Sequence, residues 1–136
     1  MEKKENGEKK RILIIDDEVD ITNSFSLALE DSGLFQVDTD NDPILALSNY
    51  RPGLYDLLLL DIKMPKMNGF ELYDKIRKID EKVKICFISA YDIDYYNALK
   101  EQVPSLEIDG DVRKDVIRKP IEVSKLIERI EMVLLT

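Results

Sequence analysis

Short apolar runs alternate with helical patterns along this 136-residue chain, and the alternation limits the folds open to it. The runs Ile12–Ile15 and Leu57–Leu60 contain no polar residue, so they predict strands buried on both faces, as in a parallel sheet. Strands are predicted at 12–15, 35–39, 57–60, 83–88 and 116–118. Strand and helix alternating five times predict an α/β fold, with helices on both faces of the sheet and right-handed crossovers.

The sequence indicates where several of the helices between these strands begin or end. Asp42 and Pro43 suit the N-cap and N1 positions of a helix, and Gly33 suits the position just after one. The first helix starts near Glu18, and we assign Val19, Phe25, Leu27, Ala28 and Leu29 to its apolar face. The remaining helices are predicted at 42–50, 70–79, 91–103 and 121–135.

Composition excludes several classes of function. The length suits one domain, which we place at residues 11–136 after a charged, disordered tail at 1–10. A net charge of −8 argues against direct nucleic-acid binding, and no apolar run is long enough to span a membrane. The single cysteine and the lack of a secretion signal favour a cytoplasmic location. Because the chain has no histidine, histidine-based catalysis and histidine metal ligands are excluded.

Polar residues stand where the predicted strands end. Asp16 and Asp17 follow the first strand, Asp61 the third, Ser89 the fourth and Lys119 the fifth. A carboxylate at the end of a buried strand costs several kcal/mol unless it is paired or bound to a metal. Since the carboxyl ends of parallel strands share one edge of the sheet, we expect these five side chains to converge there.

Three carboxylates at one edge repel each other unless a cation is present. An oxygen-rich cluster of this kind suits a hard divalent cation, most naturally Mg²⁺. Lys119 adds a second positive charge, and the Ser89 hydroxyl is able to hydrogen-bond a phosphoryl oxygen. With these helpers, Asp61 is a candidate nucleophile towards phosphorus.

The chain resembles the receiver domain of two-component response regulators. The matching pieces occur in order: Ile12–Glu18, Leu58–Pro65 with Asn68-Gly69, Ile88–Ala90, and Lys119-Pro120. Together they cover the chain after the tail. The resemblance implies a flavodoxin-like (βα)5 doubly wound fold, in which a five-stranded parallel sheet has the strand order 2-1-3-4-5.

The resemblance also implies roles for the acidic residues. Asp61 is implied to be the phosphoacceptor, taking its phosphoryl group from the histidine of a partner kinase or a histidine phosphotransfer protein. Asp17 is implied as a direct Mg²⁺ ligand, Asp16 as one that acts largely through water, and Asp61 and the Lys63 backbone carbonyl complete the protein ligands.

Two further residues receive roles in the same way. Lys119 is implied to contact the phosphoryl group, with a cis bond to Pro120. Ser89 is implied to be the switch hydroxyl that turns inward on phosphorylation. The chain is therefore expected to be a signalling switch that catalyses only its own phosphoryl transfer and dephosphorylation, not an enzyme.

Three positions depart from the family pattern. Val116 stands where the family has the aromatic partner of the switch hydroxyl, so either the aromatic half of the switch is absent or a nearby residue such as Tyr91 replaces it. The stretch before Lys119 is longer than the family norm by about two helical turns, and we place the extra residues around 104–114. Lys63 and Tyr91 occupy positions that tune phosphoaspartate lifetime in this family, and a bulky Tyr91 predicts a long-lived phosphorylated state.

One helix follows Lys119, so we expect the domain to act through an unknown downstream protein, through phosphoryl relay, or as part of a larger protein. A homodimer through the face made by the predicted fourth helix, fifth strand and final helix is a further expectation. The alternative is a phosphorylation-independent interaction module on a receiver scaffold, favoured by Val116 and 104–114. A hydrolase with an Asp nucleophile is a third class, and Lys63 opposes it because it stands where such enzymes carry a second Asp.

Overall fold

The computed structural model describes residues 9–89 and 116–135. The strands are β1 (Lys10–Ile15), β2 (Phe35–Asp40), β3 (Leu57–Asp61), β4 (Lys84–Ser89) and β5 (Val116–Arg118). The helices are α1 (Val19–Asp31), α2 (Pro43–Asn49), α3 (Gly69–Arg77) and a C-terminal helix (Val123–Leu135). The predicted helix at 91–103, Tyr91, the 104–114 extension and residues 1–8 of the predicted tail lie outside the described residues.

The five strands form one parallel sheet in the order β2-β1-β3-β4-β5. This confirms the predicted α/β class, the parallel sheet and the strand order 2-1-3-4-5. In the central pair, Ile12 is opposite Leu57 and Ile15 is opposite Leu60. Because the strands run in the same direction and in this register, their carboxyl ends reach the same edge of the sheet.

Two apolar clusters cover the two faces of the sheet, and successive strand residues contribute to alternate clusters. Leu58 and Leu60 of β3 belong to the cluster that includes buried residues of α2 and α3. Leu57 and Leu59 belong to the other cluster, which includes residues of α1 and the C-terminal helix. Burial on both faces explains why β3 has no polar residue before Asp61.

The inner face of α1 differs from the prediction. Leu29 is fully buried, but Leu27 is 73% exposed and Val19 is 54% exposed. Residues two apart lie on opposite sides of a helix, so once Leu29 faces the sheet Leu27 has to face away from it. Buried Thr22 occupies the same inner face about two turns before Leu29. A hydroxyl therefore lies on a helix face that the sequence predicts to be apolar.

Helix α2 begins as its sequence predicts. Asp42 is the N-cap, and its Oδ1 accepts hydrogen bonds from the backbone N–H groups of Ile44 (2.9 Å) and Leu45 (3.4 Å). Pro43 occupies the first turn, where its lack of an N–H group has no penalty. The C-terminal helix begins at Val123, two residues after the predicted start. No helix among the described residues has the length and apolarity needed to cross a membrane.

Candidate functional site

Three carboxylates meet at the carboxyl edge of the sheet. Asp16 and Asp17 come directly after β1, and Asp61 is the last residue of the neighbouring strand β3. One carboxylate oxygen from each lies within 4.8 Å of the others. Asp16 and Asp61 are buried, whereas Asp17 is more exposed. The structure thus brings together the acidic residues that the sequence placed at separate strand ends.

Lys119 supplies the positive charge of this cluster. Its Nζ lies 2.8 Å from Asp16 Oδ2 and 3.7 Å from Asp61 Oδ1, and its side chain is only 10% exposed. A longer ion pair of 3.8 Å reaches Glu18 Oε1 at the rim. The Lys119–Pro120 peptide bond is cis, as the resemblance implied. The cluster has one ammonium and three carboxylates, so its net charge is negative when all of them are ionised. A further cation would neutralise that charge.

Burial and the neighbouring charges of the cluster shift the pKa values of Asp61 and Lys119. Burial and the neighbouring charge of Asp16 raise the pKa of Asp61 to about 8, against the opposing effect of Lys119. Burial disfavours the charged form of Lys119, but its hydrogen bond to Asp16 and the charge of Asp61 hold the pKa of that ammonium above its ordinary value. A carboxyl group whose pKa is raised by burial and by a neighbouring charge, in a cleft, is a candidate functional residue.

The carboxylate of Asp16 is held on both oxygens. Oδ1 accepts a hydrogen bond of 2.9 Å from the backbone N–H of Glu18, and Oδ2 accepts one of 2.8 Å from Lys119. Its backbone is held as well, because Asp16 N–H donates to the carbonyl of Asp40 at 3.2 Å and its own carbonyl accepts from Asn41 at 2.8 Å. Our sequence reasoning did not identify Asn41, which carries no motif and lies 25 residues from Asp16.

The segment after β3 is held in a tight turn under the site. The backbone N–H of Gly69 donates to the carbonyl of Ile62 at 2.8 Å. Asn68 and Glu71 form a capping box at the start of α3, which fixes where the turn ends. Lys66, inside the turn, has a positive φ of 73°, a backbone conformation that side chains disfavour. These restraints position Lys63 and Met64 beside Asp61.

A cavity of about 400 Å³ opens over the cluster. Its walls are formed by residues at or just after the carboxyl ends of β1, β3 and β5: Asp17, Glu18, Asp61, Lys63, Met64, Pro65 and Lys119. Ser89 does not line this cavity, although it is buried at the same edge of the sheet and its carbonyl accepts a hydrogen bond of 2.8 Å from the N–H of Lys119. The cavity leads from the surface to the Asp61 carboxylate.

The donor set of this cluster fits a magnesium ion. Mg²⁺ binds oxygen at about 2.0–2.1 Å in octahedral geometry, so two oxygens on one ion lie about 2.9–4.2 Å apart. Oxygens from Asp16, Asp17 and Asp61 within 4.8 Å of one another are therefore able to share an ion after small side-chain rotations. The open cavity leaves space for the waters that Mg²⁺ usually keeps.

The chain matches the family model of the response regulator receiver domain over residues 12–131. The chemotaxis protein CheY of Treponema pallidum is 33% identical over 134 residues, which cover 96% of this chain and 87% of that protein. The CpxR homologue of Haemophilus influenzae, a transcriptional regulatory protein, is 35% identical over 91% of this chain but only 50% of its own length. The chain thus spans about half the length of several curated relatives it matches, DltR of Streptococcus agalactiae among them.

Solved structures give the same result. The non-phosphorylated receiver domain of HemR from Leptospira biflexa has a TM-score of 0.75 and 25% identity, covering 94% of this chain and 96% of that one. A CheY-like receiver domain protein from Methanospirillum hungatei has a TM-score of 0.72 and 28% identity, covering 93% and 94% of the two chains.

Proposed function

The chain belongs to the response regulator receiver domain family, and from this premise we propose that Asp61 is the residue that becomes phosphorylated. Members of this family are signalling switches, not enzymes that turn over a substrate. One observation carries the proposal: a buried carboxylate with a raised pKa lies beside two more carboxylates and a buried ammonium, at the base of a cavity open to the surface.

In the proposed reaction, a carboxylate oxygen of Asp61 attacks the phosphorus of a phosphohistidine on a partner kinase or phosphotransfer protein. An O–P bond forms, the P–N bond to the imidazole breaks, and the released imidazole takes up a proton from solvent. The product is an acyl phosphate on Asp61. The carboxylate has to be ionised to attack, and the ammonium of Lys119 at 3.7 Å favours that form.

Asp16, Asp17 and the backbone carbonyl of Lys63 are the residues that would hold Mg²⁺ together with Asp61. When bound, the ion supplies positive charge that favours ionised Asp61 and neutralises the oxygens of the transferring phosphoryl group. Lys119 is poised to contact the same oxygens, because its Nζ already lies between Asp16 and Asp61.

We assign Ser89 the role of the switch hydroxyl. It is buried at the end of β4, and its backbone carbonyl accepts a hydrogen bond from the N–H of Lys119, which links the candidate switch residue to the candidate phosphoryl-binding lysine. Val116 in β5 is partly buried and carries no aromatic ring, so the switch in this chain either lacks its aromatic half or takes it from another residue. In this proposal the signal passes to a downstream protein. The cytoplasmic location stays a prediction.

Direct phosphorylation tests the proposal. The purified protein is incubated with Mg²⁺ and acetyl phosphate, or with beryllofluoride, and examined by intact mass and by amide NMR shifts. With acetyl phosphate, we expect the wild type to gain one phosphoryl group and the Asp61→Asn variant to gain none. Asp74→Asn, a partly exposed aspartate of α3, is the matched control and should react like the wild type.

If the wild type and Asp61→Asn respond alike, or neither responds, the proposal fails. A wild type that binds its partner protein equally well with and without acetyl phosphate would instead identify a phosphorylation-independent interaction module. Phosphorylation that requires a partner kinase but not Mg²⁺ would contradict the assigned metal role.

A further inference from the structure

The β2–α2 turn lies against the backbone of Asp16, and Asn41 in that turn bridges two elements. Its side-chain Nδ2 donates to the carbonyl of Asp16 at 2.8 Å and to the hydroxyl of Thr22 at 2.9 Å. We propose that Asn41, with Thr22, is a positioning residue that sets the affinity of the acidic cluster for Mg²⁺. The inference rests on the proposed function, because it concerns the same carboxylates.

The direction of these hydrogen bonds is determined by the partners. A backbone carbonyl only accepts, so the amide nitrogen of Asn41 and not its oxygen faces Asp16. The hydroxyl of Thr22 donates to the carbonyl of Val19 at 3.0 Å, so it accepts from Asn41. Both N–H groups of one amide are thus used, one on each element. No carboxylate is able to replace Asn41 here, because Asp would place an acceptor against an acceptor.

The bond to the Asp16 carbonyl controls more than one residue. This carbonyl belongs to the peptide group that joins Asp16 to Asp17, so fixing its oxygen fixes the plane between two of the three carboxylate-bearing residues. Asp40, the residue before Asn41, accepts the N–H of Asp16 at 3.2 Å. Consecutive residues of β2 and its turn therefore hold both sides of Asp16.

Thr22 anchors the arrangement from α1. It is 1% exposed and lies on the inner face of the helix, which was predicted to be apolar. A buried hydroxyl without partners would be destabilising, and here it has two. The network carries no net charge. Its removal should change how the carboxylates are oriented without changing how much charge they carry.

The test measures Mg²⁺ binding directly, by calorimetric titration of the full chain without any phosphodonor. Asn41→Ala and Thr22→Val should each weaken the Mg²⁺ affinity, with about a 10-fold increase in Kd for Asn41→Ala, as for partners that orient metal ligands elsewhere. Thr22→Ser keeps the hydroxyl and should bind nearly as the wild type does. Asn49→Ala, an exposed asparagine at the end of α2, is the matched control.

Asn41→Asp separates positioning from electrostatics. An added negative charge near the cluster should tighten Mg²⁺ binding by attraction alone, whereas repulsion from the Asp16 carbonyl should weaken it. Weaker binding supports the inference and tighter binding overturns it. Urea unfolding in EDTA is measured for each variant, so that the Kd is compared only between folded proteins.

Two failures are distinguishable. A wild type that binds no Mg²⁺ would overturn the proposed function and this inference together. A wild type that binds Mg²⁺ while folded Asn41→Ala and Thr22→Val bind it equally tightly would leave the proposed function intact and overturn this inference. Lower stability with unchanged Kd would assign Asn41 a purely structural role and would also count against it.

Discussion

The backbone of Gly69 lies directly against the carbonyl oxygen of Asp61. A Cβ atom added to Gly69 would overlap that oxygen and come within 3.0 Å of the Cα of Ile62. The turn after β3 therefore closes tightly on the candidate phosphoacceptor because residue 69 has no side chain. This contact gives a structural reason for the glycine at the start of α3, independent of its backbone conformation.

Substitution of Gly69 should affect both stability and the site. Gly69→Ala should destabilise the protein by about 1–3 kcal/mol, the usual effect of overpacking, and should weaken Mg²⁺ binding by displacing the Asp61 backbone. Urea unfolding and Mg²⁺ titration measure the two effects. Gly53→Ala is the control: a Cβ there meets nothing within 4 Å, but its φ of +83° makes the substitution strained. It should lower stability and leave Mg²⁺ binding unchanged.

The raised pKa of Asp61 predicts a pH-dependent stability. Burial and Asp16 raise this pKa to about 8 in the folded protein, against about 3.9 in an unfolded chain. The folded state therefore holds the proton more tightly, so the stability linked to Asp61 is complete below about pH 4 and is lost as the pH rises towards 8. Without metal, Asp61→Asn should become more stable than the wild type over this range, by about 1–3 kcal/mol.

Thermal unfolding of both proteins in EDTA at pH 5, 7 and 8.5 measures this difference. Added Mg²⁺ should raise the Tm of the wild type at pH 7 and above, and should raise that of Asp61→Asn much less. Parallel Tm curves for the two proteins across the pH range would contradict the prediction.

Removal of the ammonium at Lys119 should leave the carboxylates uncompensated. Lys119→Met should cost about 3–5 kcal/mol in metal-free protein, because it breaks a buried ion pair with Asp16. The loss should shrink in saturating Mg²⁺, since a bound cation replaces part of the missing charge. Phosphorylation by acetyl phosphate should still fall steeply. Lys125→Met, an exposed lysine of the C-terminal helix, should change neither property.

At the opposite edge of the sheet, the hydrogen bonds of Asp80 predict a separate contribution to stability that is lost in acid. It is 8% exposed and accepts hydrogen bonds from the Tyr50 hydroxyl at 2.7 Å and from the N–H groups of Gly53, Lys82 and Val83. Burial alone would raise the pKa of Asp80, but these four donors, led by Tyr50, hold it below its ordinary value. Its contribution to stability is therefore present above about pH 4 and is lost as the pH falls further.

Asp80→Asn should lower the free energy of unfolding by about 1–3 kcal/mol at pH 7, because an amide cannot accept all four bonds. The loss relative to the wild type should diminish at pH 3. Mg²⁺ affinity should not change, and a weakened affinity would mean that the two edges of the sheet are coupled. Tyr50→Phe removes one donor and should cost less than Asp80→Asn.

The predicted convergence of Asp16, Asp61 and Lys119 agrees with the structure, although Lys119 lies 103 residues from Asp16. Residues so far apart in the sequence meet because parallel strands place all their carboxyl ends at one edge of the sheet. The residues that α1 buries were predicted less accurately than this convergence. Val19 and Leu27 are apolar yet exposed, because the side of a helix that meets the sheet depends on how the whole helix packs.

The sequence by itself determined the strand and helix alternation and the polar residues at the strand ends, since these follow from local periodicity and chain direction. Only the tertiary structure decided which neutral groups hold those residues in place. Asn41 and Thr22 have no motif, and the hydrogen bonds that Asn41 donates to the Asp16 carbonyl and to the Thr22 hydroxyl depend on how one turn and one helix approach. Likewise, the contact between Gly69 and the Asp61 carbonyl exists only once the turn after β3 has closed.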